Sequence, residues 1–258
     1  MIELMAHMIP YYPDAEISKE VALRMLEAGT KYLEVQFPFS DPSADGPVIE
    51  EACQKALNNG FRMEKGFEFV SSLMKESPRL QSGDAELFVM TYASPVTVRG
   101  VESFVQRAAR AGVRGLIIPD LPPDSDEGLY EACRRHGVEV IPVLATSSRP
   151  ERVELAATHN PRFIYCALRK GITGQDTVLG GENITFIENA GKSGAKIMAG
   201  FGISRREQVE ALDGHAHAAV VGSAFLRALH KAEEEHGALG AEHAGNAVAD
   251  LVSSLLGK

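Results

Sequence analysis

The sequence predicts a (β/α)8 TIM barrel, closed, parallel and built as a single domain over residues 1–258. Three observations predict it. Short apolar runs rich in β-branched or aromatic residues alternate eight times with longer stretches at helical spacing, no linker interrupts the alternation, and 258 residues is a length at which α/β barrels fold as one unit. Alternation of this kind makes a parallel sheet, because each crossover helix has to cover a sheet face. An open doubly wound sheet is the alternative that the pattern alone leaves standing.

The elements follow in order. Leu4 to Ile9 reads as the first strand, and Ser18 is the expected cap of a helix whose apolar residues Val21, Ala22, Met25 and Leu26 share one face and which closes at Gly29. Tyr32 to Phe37 is the second strand, followed by helix Val48–Leu57 ending near Asn59-Gly60 and by a further helical stretch, Glu64 to Lys75. Strand Leu87–Tyr92, helix Val101–Ala111, strand Gly115–Ile118 and helix Asp126–Arg135 come next. Strand Val138–Leu144, helix Pro150–Thr158, strand Phe163–Cys166 and helix Ile184–Ala190 continue the pattern. Strand Ala195–Met198, helix Arg205–Leu212, strand Ala218–Val221 and a helix from Ala224 complete it. Runs such as Leu116-Ile117-Ile118 and Val220-Val221 are apolar on both faces, as strands of a covered parallel sheet must be.

Composition narrows the function. Apolar residues are 45% and charged residues 24% of the chain, enough for a large core, so disorder and coiled coil are poor descriptions. A net charge of −9 argues against a nucleic-acid footprint or an anionic membrane surface, and leaves room for an anionic small molecule at a local, backbone-built site. Cys53, Cys133 and Cys166 are scattered without a CxxC pair, which suggests neither a disulfide framework nor a zinc site and fits a reduced, cytoplasmic setting. Met1 to Pro10 lacks the basic start and cleavage pattern of a signal peptide, and no run reaches the roughly 18 apolar residues needed to span a bilayer.

In such a barrel, function belongs to the loops after the strands' C-terminal ends. The glycine clusters Gly200-Phe201-Gly202 and Gly222-Ser223 close the last two strands, where backbone N–H groups and a helix N-terminus would receive a phosphate. Glycines of this kind also serve plain tight turns, and that is the competing explanation. Glu34 lies inside a strand, sharing a face with Tyr32 and Gln36. A carboxylate there is costly unless paired or protonated, and burial raises its pKa toward the working range of an acid–base catalyst; a solvated edge position or a structural ion pair is the alternative. Asp41 and Asp45 follow in a long loop, close enough to act beside Glu34, although loop aspartates more often cap and turn.

The run Phe37-Pro38-Phe39-Ser40-Asp41-Pro42-Ser43-Ala44-Asp45-Gly46-Pro47-Val48-Ile49, with Glu34 upstream, resembles the signature of the tryptophan synthase alpha subunit. Met90-Thr91-Tyr92-Ala93, Pro119-Asp120-Leu121-Pro122, Gly171-Ile172-Thr173-Gly174, Gly200 to Ser204 and Val221 to Ala224 match in order, so the resemblance runs from about Leu4 to near the end of the chain. It implies a lyase that splits indole-3-glycerol phosphate into indole and glyceraldehyde 3-phosphate by retro-aldol cleavage, with no cofactor in this chain. Glu34 is then the shuttling acid–base group, Asp45 stabilises positive charge at the indole nitrogen, and Tyr165 borders the reacting side chain. Gly174, Gly202, Gly222 and Ser223 hold the phosphate, with Phe201 and Ile203 between them. Ile49, Met90, Tyr92, Ile117 and Thr173 wall the indole. The resemblance also implies a pyridoxal-phosphate beta subunit as partner in an alpha2beta2 complex, activity that changes as the loops Pro38–Gly46 and Leu168–Gly181 close, and a place in tryptophan biosynthesis.

The sequence departs from the family's pattern at a few points. The extra helix expected before the first strand is missing from the pattern, His7 stands where the family has an aromatic or apolar pocket residue, Gln36 replaces a glycine, and Leu168-Arg169-Lys170 replaces a serine-arginine pattern. These changes open a second reading, a weakly active or inactive barrel kept as an allosteric partner of the beta subunit. A different phosphosugar isomerase or aldolase on the same barrel is a third; it fits the phosphate loops but leaves the signature after the second strand unexplained, and a Schiff-base aldolase would need a strand lysine, where the strands offer only Lys31 and Lys196 at their N-terminal ends.

Overall fold

All strand pairings are parallel, and alternate residues along each strand fall into two separate apolar clusters, one between sheet and helices and one inside the sheet's own curve. The computed structural model describes residues 2–168, 179–200, 202–237 and 239–258. Among these the strands are β1 (Glu3–Met8), β2 (Tyr32–Gln36), β3 (Glu86–Met90), β4 (Gly115–Ile117), β5 (Glu139–Val140), β6 (Val143–Ala145), β7 (Phe163–Ala167), β8 (Lys196–Gly200) and β9 (Ala218–Val221). Their order is β5-β4-β3-β2-β1-β9-β8-β7-β6.

The two ends of that order are consecutive pieces of the one predicted strand Val138–Leu144. Pro142 has no N–H to give a ladder, so the strand parts there. Ile141 N donates to Leu116 O beside β4 at 2.9 Å, while Pro142 O accepts from Tyr165 N on β7 at 3.0 Å. One short stretch thus joins both edges, and the sheet closes into the predicted barrel.

Among the described residues, three helix starts and three whole helices differ from the sequence reading: the helix read from Ile184 begins at Gly181, and the short helices Pro78–Ser82 and Ala93–Thr97 were not foreseen. The first helix (Ala15–Glu27) is capped by Asp14, whose carboxylate accepts from Ile17 N at 2.8 Å, and Ser18 sits buried inside it, accepting from Tyr11 N at 3.0 Å. An earlier acidic cap wins because its carboxylate reaches the third residue on. The helix predicted from Asp126 begins at Leu129, with Asp126 accepting from Tyr130 N at 2.9 Å. Helix Ala241–Leu256, unforeseen among its many small residues, packs on the first helix through Gly245, where a Cβ would sit 2.8 Å from Arg24 Cγ.

Inside the barrel the strands fill the lower half. Tyr32, Phe88 and Phe163 meet with ring centroids 5.4–5.9 Å apart. Beneath them Tyr32 pairs with His217 at 2.8 Å and Arg162 bridges Glu139 at 3.0 Å and Glu86. The upper half, at the strands' C-terminal ends, holds a cavity.

Candidate active site

Glu34 leaves β2 toward the barrel interior, in register with His7 on β1 and Phe88 on β3, and is 4% exposed. Its placement follows from the period of two: Leu33, Val35 and Phe37 point out to the helices, so Glu34 and Gln36 point in. Burial in this apolar wall, with the Asp45 charge added, pushes its carboxyl up to about 8, so at neutral pH it keeps its proton.

Asp45 is brought to the same place by the loop. Its N–H donates to Pro42 O at 2.9 Å, and Gly46 and Pro47 start the helix Pro47–Asn58. This turn sends Asp45 inward, while Asp41 stays exposed and accepts from Ser40 Oγ at 2.6 Å. Gln36 Nε2 at 2.6 Å and the Tyr92 hydroxyl at 2.9 Å both donate to Asp45 Oδ2. Burial raises Asp45 to about 6, and these two donors hold it below Glu34. Two neighbouring carboxyls therefore stand in different protonation states near pH 7, which is how one site obtains an acid and an anion.

Both border a cavity at the C-terminal end of the barrel. Ile49, Met90, Ile117, Pro119 and Val143 give it one apolar side, and Gly202, Ile203, Gly222 and Ser223 lie at the other. Gly202 has φ +83°, a conformation that favours glycine. Gly222 caps the helix Ser223–His236, and both Gly222 and Ser223 line the cavity, so the positive dipole end of this helix borders it, where an anion is favoured. Gln208 secures the neighbouring loop: its Oε1 accepts from Ser204 N at 2.9 Å and Arg205 N at 3.0 Å, and its Nε2 donates to Gly202 O at 2.9 Å.

Tyr165, on β7, lines the cavity, and burial raises its phenol well above the usual value so that it stays a donor. Gly200 on β8 leaves it room: a Cβ there would come within 2.7 Å of the Tyr165 oxygen.

Of the residues singled out in the sequence, Glu34, Asp45, Tyr165, Ile49, Met90, Ile117, Gly202, Gly222 and Ser223 share this cavity. Tyr92 stands behind it as a partner of Asp45 rather than as wall. Thr173, Gly174 and Phe201 lie outside the described residues. Val143 and Val220 were missed as lining, although both continue an inward period-two series, with Ile141 and with Ala218. Lys31 precedes β2 and Lys196 opens β8, both at the opposite end from the cavity.

Comparison with known proteins gives this geometry its family. The family model described as tryptophan synthase alpha chain matches residues 2–250. This chain belongs to the tryptophan synthase alpha chain family. Its tryptophan synthase alpha relatives include that of Helicobacter hepaticus, 39% identical over 87% of this chain and 85% of the other. The alpha chain of Syntrophotalea carbinolica is 38% identical over 88% of both. A chain of the Pyrococcus furiosus tryptophan synthase complex superposes with TM-score 0.85 at 27% identity, covering 99% of this chain and 98% of that one. One from Mycobacterium tuberculosis tryptophan synthase does so with TM-score 0.84 at 28% identity, over 98% and 92%. For a tryptophan synthase alpha chain, the inward carboxyls and the glycine-lined mouth are therefore the place to seek the chemistry.

Proposed function

We propose that this chain is the carbon–carbon lyase that splits indole-3-glycerol phosphate into indole and glyceraldehyde 3-phosphate, using Glu34, Asp45 and Tyr165. One observation carries the reading: a protonated and an ionised carboxyl border the same cavity, opposite a glycine-rich helix N-terminus. The phosphate would rest on backbone N–H groups at Gly202, Gly222 and Ser223, with Gly174 and Phe201 completing the cradle. The indole would lie against Ile49, Met90, Ile117 and Thr173. This places the glycerol carbons beside Glu34 and Tyr165.

Glu34 donates its proton to indole C3, which makes the ring a cationic leaving group. The carboxylate formed then takes the proton of the hydroxyl on the carbon attached to the ring. As the C–O bond becomes a carbonyl, the C–C bond breaks and its electron pair returns to the indole, so the acid is restored. Asp45, ionised, stabilises the charge on the ring nitrogen while it lasts, an effect strengthened by exclusion of water. Tyr165 donates a hydrogen bond that orients the side chain.

We further propose a pyridoxal-phosphate beta subunit as partner, in an alpha2beta2 assembly that takes up the indole, with no cofactor needed in this chain. A cytoplasmic setting fits three buried, unpaired cysteines and the lack, among the described residues, of any helix long and apolar enough to cross a membrane. The deciding experiment is an indole-release assay. Glu34→Gln should lower kcat about 10²- to 10⁴-fold, as loss of a positioned acid–base group does, while glycerol 3-phosphate still binds. Normal turnover in that variant would remove Glu34 from the chemistry.

A further inference from the structure

His7 carries a polar atom that no part of the proposed reaction uses. It sits on β1 beside Glu34, is 5% exposed and lines the cavity. Its Nε2 lies 2.6 Å from Gln36 Oε1, while its Nδ1 is buried with no hydrogen-bond partner among the described residues. A Cβ built on Gly222 would stand 3.5 Å from Nδ1, so this atom lies beside the residue that starts the helix Ser223–His236, at the edge of the anion cradle.

The direction of every proton in this chain of groups can be worked out. Ionised Asp45 only accepts, so it turns the NH2 end of Gln36 toward itself and leaves the Gln36 oxygen facing His7. That oxygen also only accepts, which places the imidazole proton on Nε2. Burial lowers His7 to about 4, so the ring is neutral at physiological pH and Nδ1 is a bare lone pair. A phosphate dianion has no proton to offer such an atom. A hydroxyl has.

We propose that His7 Nδ1 accepts a hydrogen bond from a hydroxyl of the substrate's glycerol chain, between Glu34 and the phosphate cradle, and so makes this pocket selective for a hydroxylated chain. The assignment rests on the lyase reading above. An orphaned buried nitrogen is costly, and a ligand hydroxyl relieves that cost where a methylene cannot. Through Gln36, the same contact connects the glycerol chain to Asp45 and thus fixes the orientation of the group beside the indole.

The test compares indole-3-glycerol phosphate with its deoxy analogue, an indole bearing an unhydroxylated three-carbon phosphate chain, in wild type and in His7→Phe and His7→Asn. In His7→Phe, kcat/KM for the substrate should fall about 10- to 100-fold, the scale of one lost buried hydrogen bond, while the inhibition constant of the deoxy analogue stays nearly unchanged. His7→Asn, which restores an acceptor near Nδ1, should recover part of the loss. Equal losses for both ligands, or none for either, would overturn the assignment. Measurements on unaltered protein guard against misfolding: the 15N resonance of unprotonated Nδ1 should move upfield with glycerol 3-phosphate and stay put with propyl phosphate, and identical responses would overturn it. Failure of the wild-type chain to release indole would count against the lyase reading instead, and the resonance test would still decide the role of His7.

Discussion

Glu34 and Asp45 reach one cavity by different routes, one from a strand and one from a loop, and their environments divide the labour between them. Glu34 is raised by burial and by the like charge of Asp45, whereas Asp45 receives two donors. Activity is expected to rise as pH passes about 6, where Asp45 ionises, and to fall beyond about 8, where Glu34 loses its proton. The two limbs belong to the pair, and a kcat/KM profile with no alkaline limb would show that protonated Glu34 is not needed. Stability carries the same signature. A carboxyl raised on folding contributes stability that is complete below its ordinary value of 4.5 and is lost as pH climbs toward about 8. Between about pH 6.5 and 8 the wild type should therefore lose up to roughly 2 kcal/mol relative to Glu34→Gln, read from denaturant midpoints. His7 works in the opposite sense, since a ring lowered on folding costs stability only as pH drops below about 6.5.

At the scale of elements, each half of the substrate depends on a local brace. The loop from β2 is held by Asp45 N on Pro42 O and by the Tyr92 hydroxyl, which accepts from Ala44 N at 3.2 Å. The loop from β8 is held by Gln208, buried and bonded to Gly202, Ser204 and Arg205. Replacing Gln208 with Ala frees three backbone groups at the edge of the anion cradle. Binding of glycerol 3-phosphate is expected to weaken about tenfold, seen as a higher KM with kcat largely kept, because the brace orients N–H donors and touches no reacting atom. A loss confined to kcat would contradict that division.

For the whole molecule, the closed sheet depends on both ends of the chain. β1 and β9 pair in register from Glu3 with Ala218 to Ala6 with Val221, and helix Ala241–Leu256 then lies on helix Ala15–Glu27. Val248, Val252 and Leu255 are buried there, each worth about 1.5–3 kcal/mol, a sum comparable with the stability of an ordinary domain. A chain ending at Gly240 is expected to lose its cooperative thermal transition, followed by circular dichroism. An unchanged Tm would mean that this helix only decorates the barrel.

Residue order by itself determined the alternation of strand and helix, the face that Tyr32, Glu34 and Gln36 share, and the two glycine clusters at adjacent strand ends. These are local properties, set by periods of 2 and 3.6 and by the conformational freedom of glycine. Tertiary structure alone decided that Asp45 rather than Asp41 turns inward, that Tyr92 supports Asp45 from behind, and that the fifth strand breaks at Pro142 to close the sheet. It alone placed His7 against Gln36 and left Nδ1 buried without a partner beside Gly222. Those outcomes depend on how separate strands fall into register and how a loop crosses the barrel mouth, and no spacing along one segment encodes a contact made between distant ones.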